Sequence, residues 1–260
     1  MYYEIHGRQE ADAPTLLLCS GLGGSAAYWA ANLPALVEHF RVICYDQRGT
    51  GRSPAELPEG YSIAQMAQEL DALLEQLQIS TCDFVGHALG GLVGLELARQ
   101  QPSRIRRLVP INAWAAPNAH SARCFDARIA LLSHSGPAAY IDAQPIFLYP
   151  PVWLLENAEQ VARELAHALQ HFPGVANTLR RIGALRAFDI SAVLTEIRQP
   201  VLVMASRDDT LVPWTQSRQL AEGLPNASLA LRDFGGHAFN LTEQAEFDAE
   251  LLAFLLTPAP

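Results

Sequence analysis

The run Gly86-His87-Ala88-Leu89-Gly90-Gly91 constrains this chain more than any other stretch. A short apolar segment, Cys82 to Val85, precedes it, and an apolar-rich segment, Leu92 to Ala98, follows with the character of a helix. Glycines at the first and fifth turn positions let a strand reverse sharply into a helix, which is the frame of the nucleophile elbow, where the middle residue is normally serine. Here the middle residue is Ala88. Whatever chemistry the turn supports, its side chain supplies no attacking oxygen.

Strands and helices alternate around this turn. Thr15 to Ser20 is a short apolar run ended by Gly21-Leu22-Gly23-Gly24-Ser25, so it reads as a buried strand entering a tight glycine loop. A helix is expected from about Ala26 to Glu38, then a strand from Arg41 to Tyr45 and a second glycine-rich turn, Asp46 to Ser53. Between Ser62 and Gln78, Ile63, Met66, Ala67, Leu70, Leu73, Leu74 and Leu77 recur at helical steps, and Ser62 with Gln65 fits a capping box. Arg107 to Asn112 supplies another strand, although Pro110 removes one ladder donor from it. The pattern predicts βαβ units and a mostly parallel sheet flanked by helices.

From about Ala113 to Ser191 this rhythm gives way to helical segments separated by Pro145, Pro150, Pro151 and Pro173. The expected organisation is therefore a core of residues 1–112 and 192–260 with a helical cap, 113–191, inserted in it. The rhythm returns with a strand at Val201 to Ala205, a helix near Trp214 to Glu222, a strand near Ser228 to Leu231 and a closing helix from about Glu243 to Leu256. Pro258-Ala259-Pro260 reads as a frayed end.

Half of the 260 residues are hydrophobic, ample for a buried core. The 18 basic and 27 acidic residues leave a net charge of −9 with no basic cluster, which argues against a nucleic-acid partner. The N-terminal residues lack the charged and apolar regions of a secretion signal, and no apolar run reaches a membrane span, so a soluble, cytoplasmic protein is expected. Cys19, Cys44, Cys82 and Cys124 are too scattered for ligand spacing and are expected to be free thiols, with no metal and no cofactor.

Three loops follow predicted strands, and in open parallel sheets ligands bind at the carboxyl ends of strands. They are the elbow, the loop Ser206-Arg207-Asp208-Asp209-Thr210-Leu211-Val212-Pro213, and the loop Asp233-Phe234-Gly235-Gly236-His237. The order of elbow, acid and histidine resembles that of the α/β-hydrolase fold with a helical cap. That resemblance implies Asp209 as the acid, with Asp208 as its alternative, and His237 as the base. It also implies an oxyanion hole made by the backbone N–H groups of Leu22 and Leu89, which no side-chain change at position 88 removes.

A closer resemblance rests on Tyr45 to Gly51, Tyr61 to Ala67, Val85 to Gly90, Gln144 to Pro150 and Gly235 to Ala238. These segments are similar to the RutD-type hydrolases of the Rut pyrimidine-utilisation pathway, a family assigned to carbamate and formerly to aminoacrylate, whose elbow also carries alanine. Without a serine oxygen no acyl-enzyme forms at position 88, and a water held by His237 and Asp209 becomes the expected nucleophile. A site of this kind keeps only roughly 10³- to 10⁴-fold over water, enough for a labile compound but not for a stable amide or ester.

Either substrate is a small anion, and Arg123 or Arg48 is the first candidate for a positive group, although Arg48 sits in a turn where a structural role is the favoured reading. Trp114 and Tyr149, with Phe125, Phe147 and Trp153, are candidates to line a pocket under the cap or to pack its core. His87 is expected to pack the elbow. An exposed cap surface leaves room for a homodimer. Two other functions fit the same residues: a catalytically silent binding protein on this fold, and a cofactor-free oxygenase using the His-Asp pair on a larger aromatic substrate.

Overall fold

The computed structural model describes residues 1–10 and 12–257; the frayed end expected at Pro258 to Pro260 lies outside them. Seven strands form one sheet: β1 (Tyr3–Gly7), β2 (Thr15–Cys19), β3 (Arg41–Tyr45), β4 (Cys82–His87), β5 (Ile105–Ile111), β6 (Val201–Ser206) and β7 (Ala227–Arg232). Their spatial order is β1-β3-β2-β4-β5-β6-β7, with β1 antiparallel to β3 and every other pairing parallel. β4, which carries the elbow at its carboxyl end, lies at the centre.

Period-two alternation buries both faces. Leu16, Leu18, Val42 and Cys44 point into one core, while Leu17, Cys19, Ile43 and Tyr45 point into the other. The first core is closed by α1 (Leu33–Leu36) and the C-terminal helices described below; the second is closed by α2 (Ile63–Gln76) and α3 (Leu89–Gln100). α2 starts as expected, with Gln65 N donating to Ser62 Oγ at 3.2 Å and Ser62 N donating to Gln65 Oε1 at 3.0 Å.

Between β5 and β6 the chain runs through α4 (Ala119–Ala130), a π-helical turn (Leu131–Ser135), α5 (Gly136–Asp142), α6 (Gln144–Leu148), α7 (Pro151–Glu156), α8 (Ala158–Gln170) and α9 (Val175–Ala187). The prolines sit at or near helix starts, where a missing N–H costs nothing. After β6 come α10 (Trp214–Gly223), α11 (Phe239–Thr242) and α12 (Gln244–Leu255); Phe247, Leu251 and Leu255 of α12 complete the first core. No described helix is long and apolar enough to cross a membrane.

Two local features differ from the sequence expectation, whereas the strand expected around Pro110 is present. β1 was not anticipated; it is a five-residue edge strand held by β3, and its side chains are only partly buried. The helix expected from about Ala26 to Glu38 is instead a 3₁₀ turn, Ala26–Trp29, followed by the short α1. Pro34 lies in the first turn of α1, so the chain restarts there rather than continuing. Pro110 is accommodated inside a central strand: Leu108 N and Asn112 N both donate toward β6, so the proline forfeits the one bond between them.

Candidate active site

β4 ends at His87 and α3 begins at Leu89, so the chain reverses at Ala88. Its φ of 49° and ψ of −111° fall outside the backbone regions that a residue with a Cβ ordinarily takes. Ala88 N is anchored on Ile111 O at 2.8 Å. The flanking glycines are required by close approach. A Cβ on Gly86 would lie 2.3 Å from Gly90 O, and one on Gly90 would lie 2.2 Å from Cys19 O. The elbow keeps its strain and packing although its side chain is a methyl.

The acid and histidine loops meet beside it. His237 Nδ1 donates to Asp209 Oδ2 at 2.7 Å, and both side chains are buried. Asp209 Oδ1 accepts from Leu211 N at 2.7 Å and Val212 N at 2.9 Å, which fixes the carboxylate. Asp208 takes a different part: its Oδ1 accepts from Gly236 N at 2.8 Å and its Oδ2 from Gly235 N at 3.2 Å, shaping the loop that carries His237. With Nδ1–H committed to Asp209, His237 Nε2 presents a lone pair, and no described residue donates to it.

Two further side chains hold the backbone of His237. Asn112 Nδ2 donates to His237 O at 2.7 Å, and His87 Nε2 donates to the same oxygen at 2.8 Å. The His87 ring lies between Tyr28, stacked at 4.9 Å, and His237, edge-on at 4.7 Å. Burial, and then the neighbouring His237, push the His87 pKa down to about 3, so this imidazole is neutral near pH 7.

Leu22 N and Leu89 N complete the frame. Leu89 N is the first amide of α3, and neither amide has a hydrogen-bond partner among the described residues. The Gly21 backbone packs closely against the elbow, since a Cβ there would lie 3.0 Å from His87 Nδ1. The site thus holds the His237 imidazole, two amides without partners among the described residues, and a methyl group at the position where a serine would carry its oxygen.

A family model described as alpha/beta hydrolase fold matches residues 14–150. A protein of Stutzerimonas stutzeri (strain A1501), named "Putative carbamate hydrolase RutD", is 57% identical over 255 residues, covering 98% of this chain and 96% of the relative. A protein of the same name from Agrobacterium fabrum is 54% identical over 256 residues, covering 98% of both chains. This chain belongs to the RutD family of α/β-hydrolases. Among solved structures, the enol-lactonase from Burkholderia xenovorans LB400 superposes with a TM-score of 0.88 at 27% identity, covering 98% of this chain and 95% of that one. A hydrolase from Pseudomonas aeruginosa PA01 gives 0.86 at 32% identity, covering 98% and 94%.

Within this RutD-family frame the expected pocket residues fall in different places. Arg123 is exposed: α4 buries Ser121, Phe125 and Arg128, and position 123 lies about 200° around the helix from position 121. Arg48 is also exposed and pairs with Glu69 at 3.1 Å. Trp114 is buried edge-on to Phe125 at 6.4 Å, and its indole N–H has no partner among the described residues. Tyr149 donates to Glu164 Oε2 at 3.2 Å and stacks on Trp153 at 4.6 Å, so it is engaged with other inserted helices.

The buried cation at this site is one that sequence reasoning missed. Arg181 of α9 is 0% exposed; its Nε donates to Leu22 O at 3.0 Å, and one Nη donates to Gln47 Oε1 at 2.6 Å and, more weakly, to Gly21 O at 3.4 Å. A signal was present: Arg181 falls in the helical register of Thr178, Ile182 and Leu185, all buried, which is no place for a solvated arginine. Asn112 was missed for another reason, because its role depends on β5 and β6 ending side by side.

Proposed function

We propose that this chain hydrolyses carbamate to ammonia and bicarbonate, with a water rather than a side chain as nucleophile. One observation carries the reading: a complete His237–Asp209 pair faces an elbow whose central residue is Ala88. The name of the RutD relatives supports the substrate. In this scheme His237 Nε2 takes a proton from water as its oxygen bonds to the carbamate carbon. The N–H groups of Leu22 and Leu89 receive the developing oxyanion. The imidazolium, held by Asp209, then returns the proton to nitrogen, the C–N bond breaks, and ammonia and bicarbonate leave. H₂NCOO⁻ and H₂O become NH₃ and HCO₃⁻, so atoms and charge balance.

The decisive experiment is ammonia release from freshly generated carbamate. His237→Ala and Asp209→Asn should each lower turnover above the spontaneous rate by roughly 10²-fold or more. Variants that match wild type would end the water-activation scheme. Ala88→Ser should also lower turnover, because its Oγ fills the space assigned to the water, and undiminished activity would contradict that assignment. Turnover of aminoacrylate without turnover of carbamate would reassign the substrate.

A further inference from the structure

Arg181 has an arrangement that stability does not explain. Its guanidinium is wholly buried, its described acceptors are all neutral oxygens, and no carboxylate pairs with it among the described residues. The remaining Nη1 is buried without a partner. Burial works against the charge and lowers the Arg181 pKa from the ordinary arginine value, with the nearby Tyr61, Cys19, Tyr45 and the Glu69 carboxylate, which makes no ion pair with it, opposing the shift. An apolar side chain of similar volume would fill this position at less cost.

The acceptors indicate what the charge does. Gly21 O and Leu22 O are the carbonyls on either side of the Leu22 Cα, so one guanidinium grips both peptides flanking that residue. The Gly21–Leu22 peptide also carries Leu22 N–H at its other end, and a donor on the carbonyl strengthens the N–H as a donor. Gln47 extends the grip, accepting from Arg181 while its Nε2 donates to Ser20 O at 2.7 Å.

We propose that Arg181 is a positioning and specificity-determining residue: from the inserted helix α9 it aims the Leu22 amide at the reacting centre and gives the site the positive charge that selects small carboxylate-like anions over neutral isosteres. The inference deepens the hydrolase reading and rests on it for the identity of the oxyanion loop. Arg181 does not touch the substrate; its charge acts through the loop and across the interior, where screening by water is weak. In a chain of net charge −9, a local cation of this kind lets an anion enter.

The test compares acetate with acetamide, an anion and its neutral isostere, by titrating isotope-labelled protein and following the Leu22 amide and His237 imidazole resonances. Wild type should bind acetate more tightly. Arg181→Met should weaken acetate roughly tenfold or more while leaving acetamide within about twofold. Arg181→Lys keeps the charge but cannot span both carbonyls, so it should recover acetate binding while the Leu22 amide resonance moves and broadens. Should Arg181→Met fail to fold, Gln47→Glu sets a carboxylate against the guanidinium and should abolish the acetate preference. No acetate preference in wild type, equal weakening of both probes by Arg181→Met, or an undiminished preference in Gln47→Glu would each overturn the proposal. Carbamate turnover is scored separately: its absence in wild type would remove the proposed reaction without touching the acetate result.

Discussion

At the scale of single residues, Ala88 and His87 divide what a nucleophile elbow normally unites. Ala88 retains the strained backbone, so the turn is present without the atom it usually presents. His87 ties β4 to the histidine loop through His237 O, and does so as a neutral ring. That neutrality makes stability depend on pH. The unfolded chain protonates His87 near 6.5 whereas the folded chain resists until about 3, so protons favour unfolding as pH falls through that window. The stability held above pH 6.5 should fall by about 1.4 kcal/mol per pH unit from this group. Urea unfolding at pH 7 and pH 5 should show wild type losing about 2 kcal/mol more than His87→Gln, which keeps a donor for His237 O. Equal losses would mean that His87 titrates normally in the fold.

At the scale of elements, the helices that mattered most could be read from their ends. α2 shows both its apolar stripe and its capping box in sequence, because a cap is a local interaction between residues three apart. Ser62→Ala should therefore cost about 1 kcal/mol in chemical denaturation, with no effect on the distant site. The segment after β2 was harder to read. Its composition suits one helix, but Pro34 and the demands of the glycine loop break it into two short turns. β1 escaped notice because an edge strand of five residues, four partly buried and one exposed, is too short for its alternation to stand out.

At the scale of the whole molecule, α9 connects the inserted helices to the sheet by two polar side chains one turn apart. Arg181 grips the glycine loop after β2, and Asn177 grips the chain after β3: its Oδ1 accepts from Leu57 N at 3.1 Å, and its Nδ2 donates to Ala55 O at 2.8 Å and Gly49 O at 3.1 Å. Asn177→Ala leaves these buried backbone groups without partners and should cost about 1–3 kcal/mol. Amide exchange at Leu57 should speed up in that variant, while exchange in the central strands keeps its wild-type order. Unchanged exchange at Leu57 would show that the Asn177 contacts do not protect this segment.

The sequence by itself determined the alternation of strands and helices, the elbow with its missing oxygen, and the loops that carry the acid and His237, because each depends on local pattern or on loops that follow strands in a known order. The structure chose Asp209 over Asp208 as the partner of His237. Tertiary structure decided which charge stands beside the site. Arg123 and Arg48 sit in suggestive segments but face water, whereas Arg181, some ninety residues beyond the elbow, is turned inward onto the Leu22 peptide. A helix's register tells which side chains share a face, but only its docking on the sheet tells what that face meets.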